Sequence, residues 1–289
     1  QPQDSFSLRC TPQVHAAVRD AVEQARRVLE IELNAVTDNP LVFPDKQAEH
    51  VEEQVISAGH FHGMPLALAM SYVKAAIPTL ASISERRLNK LVDPSTNDGL
   101  PAFLIGNEDG TESGHMIVQY SAAAIVNDLA SRAHPASVFS VPTSANAEDH
   151  VSMGANEARH VLAMVQDLGK VLALELYTAA QALDLRRDMI NAARALSDRT
   201  DAEGLAVKVA GGPQAGADGR DAFLVEVEAL RAALASSDAF QPGHAVAAAH
   251  AAIRAKIPFL DRDRAMDGEV ATAVRLVESG EILAAVRNR

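Results

Sequence analysis

The polar segment PTSANAEDHVSM places two carboxylates and an imidazole side by side, as Glu148, Asp149 and His150. Turn-forming residues precede them, and a long stretch with helical spacing of apolar residues follows. The simplest interpretation is a helix cap, because acidic side chains bind the free amides of a first turn and complement its dipole. A second interpretation is a metal site that includes His60 and His62, although His-x-His spacing on a helix directs the two rings apart. An active site is a third, and the segment alone leaves all three open.

Arg9, in the segment SLRC, is a further candidate for chemistry. A planar guanidinium held between structured segments can bind a carboxylate through two parallel hydrogen bonds. A surface ion pair is the alternative for the same residue. The 289 residues contain no Gly-rich phosphate loop, no Gly-x-Ser-x-Gly nucleophile elbow and no Cys/His nucleophile pair.

Composition and charge narrow the class of protein. Hydrophobic residues make up 48% of the chain and charged residues 22%, as in soluble globular proteins. The net charge of -12 argues against a nucleic-acid partner, since phosphate binding needs a surplus of Lys and Arg. A single cysteine, Cys10, favours a reducing compartment, and we expect no apolar run to reach the roughly 18 residues of a membrane span. We therefore expect a cytoplasmic protein with neither a nucleic-acid nor a membrane partner.

Helices are expected to position these residues, because aromatic residues are few (4%, no Trp) and Ala, Leu and Val are abundant. Predicted helices run from Thr11 to the turn TDNP, from about 61 to 91, and from about 113 to 133. The connection at 93–111 is rich in Gly, Pro, Asn and Asp, and connections of this length are more often functional than idle.

The fourth predicted helix, at 148–187, contains no Pro and only two Gly. At 1.5 Å per residue it would be about 60 Å long, whereas a compact globule of this size is about 50 Å across. A helix of this length should extend beyond its own subunit, which predicts a helix-bundle oligomer. A Gly/Pro/Ala loop is predicted at 210–219. We divide the chain into a helical-bundle core, 1–190, and a C-terminal helical region, 191–289.

Several blocks, in order, resemble the histidine ammonia-lyase branch of the aromatic amino-acid lyase and aminomutase family. They include QDSFSLRCTPQV, HFHGMPLA, ISERR, GLPAFL and AHPASVFSVPTSANAEDHVSM, and the resemblance covers about 3–187. It implies a mostly α-helical fold, namely a long-helix bundle of the aromatic amino-acid ammonia-lyase type whose central helices pack in a homotetramer. It also implies active sites assembled from several subunits and a small α-amino acid as substrate, histidine or another polar or aromatic one.

The resemblance also implies roles for individual residues. Arg9 matches the Arg that binds the substrate carboxylate, with Gln3 beside it, and Phe61 matches an aromatic residue near the substrate ring. Glu148 matches the Glu that faces the imidazole or the amine, which leaves Asp149 and His150 to fix the loop and the start of the helix.

The departures from the family pattern lie in the same region. Phe6 stands where the family has Tyr, which removes a hydroxyl near the reacting atoms. Ala147 replaces a Gln, His60 an Asn and His115 a Phe. We expect Glu148, His60 and His115 to make the pocket more polar than a phenylalanine site. The predicted catalytic residues are therefore Glu148 and Phe6. The predicted substrate-binding residues are Arg9, Gln3, Phe61, His60 and Ala147.

The family's electrophile, methylidene-imidazolone (MIO), is formed from Ala-Ser-Gly, and this tripeptide occurs nowhere in the 289 residues. The sequence also opens with Gln1 rather than Met. We therefore expect the chain to be the C-terminal part of a lyase, with MIO supplied by an N-terminal part that is a separate chain, has been cleaved off or is absent. No other cofactor and no metal is expected. Two alternatives remain open: a lyase of the same fold that works without the electrophile, and a non-catalytic scaffold or regulatory homologue.

Overall fold

Helices make up most of the protein in the computed structural model, which describes residues 3–44, 49–105, 111–197 and 242–287. The α-helices are α1 (Phe6–Arg9), α2 (Thr11–Leu33), α3 (Met64–Val92), α4 (Met116–Arg132), α5 (Gly154–Ser197), α6 (His244–Arg254), α7 (Asp267–Glu278) and α8 (Glu281–Arg287). Short 3-10 turns occur at Val51–Gln54, Ala102–Leu104, Ala136–Val138 and Ser144–Asn146. Two two-residue strands, β1 (Leu41–Val42) and β2 (Val55–Ile56), pair antiparallel, with Leu41 opposite Ile56.

The chain divides into two compact units, and the boundaries fall inside or at the ends of helices. Unit 1 comprises Gln1–Lys90 and Ile117–Glu175, and unit 2 comprises Leu91–Met116 and Leu176–Arg289. The sequence-based division at residue 190 stays a prediction.

The core of unit 1 is formed by α2, α3, α4 and α5. Small side chains at the contacts let the helix axes approach closely. The core residues are Ala25, Ala69, Val73, Ile77, Ala81, Leu129, Met164 and Val171. Burial of this apolar stripe stabilises the helices beyond their intrinsic propensity.

Unit 2 has its own buried residues, including Leu104, Leu260 and Leu276. A tight turn precedes α4: the amides of Ser113 and Gly114 donate to the carboxylate of Asp263 at 2.6 and 2.7 Å. Gly114 has a φ of +50°, and a Cβ built there would lie 2.5 Å from the carbonyl oxygen of Phe103. Only glycine fits this turn without displacing backbone.

The helix α3 is long and apolar enough to cross a membrane by length and composition alone, with a mean hydropathy of 1.5 in its most apolar window. The expectation that no segment of the chain is long and apolar enough for a membrane span was therefore wrong. Within unit 1, however, α3 contributes Ala69, Val73, Ile77 and Ala81 to the core. A core helix passes the same test, and the expectation of no membrane partner stays a prediction.

The long helix was predicted, but its first residue was not. It begins at Gly154 rather than Glu148, because Glu148 pairs with Thr143 in an antiparallel bridge and Met153 has a left-handed φ of +54°. Glu148 therefore does not lie in the first turn of α5, whose acidic residue is Glu157. The predicted loop at 210–219 lies outside the described residues.

Candidate functional site

Glu148 lies on an exposed connection between the 3-10 turn Ala136–Val138 and α5, which we call the Glu148 loop (residues 139–153). The amide of Thr143 donates to the Glu148 carbonyl at 3.0 Å, and the amide of Glu148 donates back at 3.3 Å. The hydroxyl of Thr143 also donates to the Glu148 carboxylate. Residues 141–150 are all exposed in the single chain. The carboxylate of Glu148 is therefore held at a fixed place and presented at the surface of unit 1.

The backbone at the tip of this loop is left-handed at three consecutive residues, Ser144, Ala145 and Asn146, with φ of 48°, 55° and 70°. Such conformations are unfavourable for residues other than glycine, and they persist where the surroundings determine them. They reverse the chain so that Glu148 returns beside Thr143.

His62 joins the segment of Phe61 to the Glu148 loop. Its Nε2–H donates to the carbonyl oxygen of His150 at 3.0 Å, and the two imidazole rings stack with centroids 5.6 Å apart. The chain segments approach closely here, since a Cβ on Gly154 would lie 3.4 Å from the Gly63 carbonyl oxygen. His150 thus helps to hold the loop, while the role that the resemblance gave to Asp149 stays a prediction.

The same segment carries Phe61 and His60, the two residues that the resemblance assigned to substrate binding, and both are exposed. Phe61 is 52% exposed, and His60 is exposed beside it. Ala147 lies next to Glu148 in the loop and is also exposed. The structure therefore brings His60, Phe61, Ala147 and Glu148 onto two adjoining segments of unit 1.

Arg9 and Phe6 form a second group, on the four-residue helix α1. The guanidinium carbon of Arg9 lies 4.7 Å from the centroid of the Phe6 ring, within cation–π distance. Phe6 is 68% exposed, and Arg9 and Gln3 are also exposed. Over the described part of the chain, no carboxylate forms an ion pair with Arg9, so the surface-ion-pair alternative has no support there. Its guanidinium remains available for a carboxylate from outside the chain.

A bidentate ion pair supports α1. Arg87 Nε and Nη2 donate to the Glu175 carboxylate at 2.5 and 2.8 Å, and Arg87 Nη1 reaches the carbonyl oxygen of Ser7 at 3.4 Å. The Thr11 hydroxyl donates to the same carbonyl at 3.0 Å. Sequence reasoning missed Arg87 and Glu175, which are 88 residues apart, although Arg87 lies in the block ISERR that carried the resemblance.

Among residues 3–44, 49–105 and 111–197, no hydrogen bond, ion pair or ring contact links Gln3, Phe6 or Arg9 to the Glu148 loop. The single chain therefore presents two separate groups of candidate residues, one on α1 and one on the loop and the segment of Phe61.

His115 belongs to neither group, which corrects the expectation that it lines the pocket. It is fully buried in unit 2, where its Nδ1 lies 3.2 Å from the Thr178 hydroxyl and its ring lies 4.7 Å from that of Tyr177. Burial, followed by the positive charges of Arg254 and Arg264, lowers the pKa of His115 to about 4. The imidazole is therefore neutral at pH 7 and acts as a core side chain.

The residues around His115 were also missed from the sequence. The Tyr177 hydroxyl donates to the Glu269 carboxylate at 2.6 Å, and Arg264 Nε donates to the other oxygen of that carboxylate at 2.8 Å. Burial and the bond to Glu269 raise the pKa of Tyr177 above its usual value. We call His115, Tyr177, Thr178, Arg264 and Glu269 the His115 cluster.

Neither a metal nor MIO is provided for by the described residues. No group of three or more His, Cys, Asp or Glu side chains in the described ranges could hold a metal ion. Ala-Ser-Gly is absent from the sequence, so the chain cannot form MIO from its own residues. What the chain does provide is an exposed guanidinium, an exposed carboxylate and exposed aromatic side chains.

Comparison with known proteins decides the family. The model of the aromatic amino acid lyase family matches residues 1–202. The chain belongs to the aromatic amino acid lyase family. A histidine ammonia-lyase of Treponema denticola is 55% identical over 184 residues, which are 64% of this chain and 35% of that protein. A histidine ammonia-lyase of Symbiobacterium thermophilum is 40% identical over 284 residues, which are 98% of this chain and 44% of that protein.

A solved structure agrees with these sequence matches. The crystal structure of histidine ammonia-lyase from Trypanosoma cruzi superposes with a TM-score of 0.74 at 30% identity, over 99% of this chain and 45% of that one. The predicted mostly helical fold of the aromatic amino acid lyase family is thus confirmed, while packing in a tetramer stays a prediction. The chain spans less than half the length of these relatives.

Proposed function

We propose that the chain is the substrate-binding part of an ammonia-lyase that acts on L-histidine or a similar α-amino acid. The observation that carries this proposal is the 40% identity to a histidine ammonia-lyase over 98% of the chain. The geometry supports it, because Arg9 has no ion-pair partner among the described residues and Glu148 is exposed and oriented by Thr143. A guanidinium and a carboxylate of this kind suit the two ends of such a substrate.

In this proposal Arg9 binds the substrate α-carboxylate through two hydrogen bonds, with Gln3 beside it, and Phe61 contacts the imidazole ring of the substrate. Glu148 accepts a hydrogen bond from the imidazole or the amine, and its orientation is fixed by the Thr143 hydroxyl. The reaction breaks the Cα–N bond and one Cβ–H bond, forms a carbon–carbon double bond and releases ammonia. The chain's own residues bind and orient the amino acid for this step.

Two further components belong to the proposal. Ala-Ser-Gly, the source of MIO, would come from an N-terminal part outside these residues, and the group would supply the electrophile that makes the amine a leaving group. The exposed state of both residue groups in the single chain suits a site completed by other subunits, as in a homotetramer. We propose a cytoplasmic location for the assembly.

The test combines this chain with an N-terminal segment of the family that carries Ala-Ser-Gly. Ammonia and the ultraviolet absorbance of the conjugated product are measured with L-histidine, and with L-phenylalanine for comparison. We expect turnover of histidine, and a fall of about 100-fold or more in kcat for Glu148→Gln, since the variant removes the charge but keeps the shape.

The controls separate this proposal from its alternatives. Asp20→Asn removes an exposed charge from α2 and should leave kcat within about 3-fold, because surface charges contribute little. Ammonia release by this chain alone would indicate a lyase that needs no electrophile. An assembled complex that releases ammonia from neither amino acid would contradict the proposal and favour a scaffold role, which Phe6 at the family's Tyr position also favours.

A further inference from the structure

A fully buried ion pair joins α3 to α5 in unit 1. Lys74 Nζ lies 3.1 Å from Oε2 of Glu157, and both side chains are 0% exposed. The same Nζ lies 2.9 Å from Nδ1 of His160. Charges are rarely buried in this way, because leaving water costs each ion several kcal/mol and the pair must recover that cost through good geometry.

The second carboxylate oxygen of Glu157 does not face the lysine. It accepts a hydrogen bond from the backbone amide of Ser137 at 2.9 Å, in the 3-10 turn that immediately precedes the Glu148 loop. The Ser137 hydroxyl is in turn 2.8 Å from the hydroxyl of Ser71 on α3. Ser137 is therefore bound to two helices at once, through its backbone and through its side chain.

The Glu148 loop depends on such attachments at its ends. Its middle, 141–150, is exposed throughout and contributes no buried side chain to the core. Its first half is tied to its second by the bridge between Thr143 and Glu148 and by Val151 N–H, which donates to the Ser140 hydroxyl at 2.8 Å. These bonds fix the shape of the loop, whereas bonds to the helices determine where the loop lies.

Attachments at both ends connect the loop to the rest of unit 1. At its C-terminal end, His62 and Gly63 contact His150 and Gly154. At its N-terminal end, Ser137 is bound to Glu157 and Ser71, and the Phe139 ring lies 5.6 Å from the ring of His134. Glu157 thus connects the buried ion pair to the segment that carries the candidate catalytic carboxylate.

We propose that the Lys74–Glu157 pair is a positioning device for Glu148, acting through the Ser137 amide. In this role Lys74 keeps Glu157 ionised in a dry environment, and the ionised carboxylate holds the Ser137 N–H more strongly than a neutral acceptor would. The positional part rests on the structure of unit 1 alone, and the catalytic consequence rests on the proposed function.

The electrostatics of Glu157 agree with this arrangement. Burial raises the pKa of Glu157, but the hydrogen bond from Ser137 and the charge of Lys74 outweigh it, so that the pKa lies below its usual value. The carboxylate is therefore ionised at neutral pH, with Oε1 bound to the Ser137 amide and Oε2 in the ion pair with Lys74.

Two double variants separate the acceptor from the charges. Single removal of Lys74 or Glu157 would leave a buried unpaired charge, which destabilises a protein strongly, so both charges are removed together. Lys74→Met with Glu157→Gln retains an oxygen for the Ser137 amide, whereas Lys74→Met with Glu157→Met does not. The two variants have similar volumes and differ mainly in that acceptor.

The first readout is amide hydrogen exchange of the full chain, followed at Thr143, Glu148 and Val151. We expect exchange roughly 10-fold faster in the Glu157→Met double variant than in the Glu157→Gln double variant, because the freed end lets the loop open more often. Amides of the α2 core serve as an internal reference and should exchange alike in both. Equal exchange of the loop amides in the two variants would overturn the proposal.

A milder variant covers the case in which the Glu157→Met protein does not fold. Ser137→Pro removes the amide N–H that Glu157 binds and leaves the buried ion pair intact, whereas Ser137→Ala loses the same hydroxyl but keeps the N–H. The loop amides should exchange about 3-fold faster in Ser137→Pro than in Ser137→Ala. Equal exchange in these two variants would then overturn the proposal.

The second readout uses the assembly completed with an N-terminal part. There the Glu157→Met double variant should lower kcat about 10-fold with little change in KM, because a misplaced Glu148 affects the reaction more than carboxylate binding. The Glu157→Gln double variant should lower kcat by a smaller factor, because its neutral oxygen still accepts the Ser137 N–H but less strongly than a carboxylate. Inactivity of the wild-type assembly would contradict the proposed function, while the exchange result would still decide whether the pair holds the loop. Equal kcat in both double variants would overturn the catalytic part alone.

Discussion

The candidate site residues of unit 1 and the His115 cluster of unit 2 differ in how far they are exposed. In unit 1, Arg9, Phe61 and Glu148 are exposed, and Arg9 has no carboxylate partner in the described chain. In unit 2, His115 and Tyr177 are buried and contact other side chains of the same unit. The exposure of the first set suits the binding role proposed for it, whereas the buried groups hold unit 2 together.

The largest effect should come from unit 2. Gln181 is 1% exposed; its Nε2 donates to the carbonyl oxygens of Leu104 and Leu260, and its Oε1 accepts from the Leu260 amide. Gln181→Leu leaves these backbone groups without partners, so the free energy of unfolding should fall by about 3 to 5 kcal/mol. Urea unfolding followed by circular dichroism measures it. The exposed Gln13→Leu is the control, and equal losses in both would break the comparison.

The second effect is the pH dependence caused by His115. Its folded pKa of about 4 lies below the usual 6.5, so the unfolded chain binds a proton between these values and the folded chain does not. Above pH 6.5 His115 therefore does not lower the free energy of unfolding. As the pH falls toward 4 it lowers the free energy of unfolding progressively, by about 2 kcal/mol at pH 5.

The measurement compares wild type with His115→Phe by unfolding between pH 5 and pH 7.5. Between pH 7.5 and pH 5, the free energy of unfolding of the variant should fall by about 2 kcal/mol less than that of the wild type. Parallel curves would show that His115 is accessible to protons in the folded protein, which would remove the contrast between the two units.

Substitutions of the exposed candidate residues in unit 1 should change activity and leave the free energy of unfolding unchanged. Arg9→Lys replaces a planar fork by a point charge, so kcat/KM of the completed enzyme should fall by roughly 10-fold or more. The unfolding temperature should not change, since Arg9 is exposed. Arg19→Lys, on the exposed side of α2, serves as the control. Unchanged kinetics would refute the binding role of Arg9.

The smallest effect on stability is expected from Phe6→Tyr. Because the side chain is 68% exposed, the free energy of unfolding should change by less than about 0.5 kcal/mol. The added hydroxyl should increase turnover of histidine in the completed enzyme. If turnover is flat, the missing hydroxyl does not limit the chemistry.

Helices α2 to α5 were predictable because each follows from local spacing of apolar residues, whereas the four-residue α1 was not predicted. The first turn of α5 was not, since its start depends on the left-handed backbone at Met153 and on the pairing of Thr143 with Glu148. The role of Glu148 was assigned from its resemblance to a family block and stays a prediction. The His115 cluster could not be predicted, because Tyr177 and Glu269 are 92 residues apart and meet only in the folded chain.

The exposure of the Glu148 loop has a practical consequence for protease digestion. Between Arg132 and Arg159 the sequence contains no Lys or Arg, so trypsin cannot cut there, and its two glutamates are Glu148, which is exposed, and Glu157, which is buried. A glutamate-specific protease should therefore cut the isolated, folded chain after Glu148. The rate of that cut reports, on the unmodified protein, when a partner subunit or a substrate covers the loop.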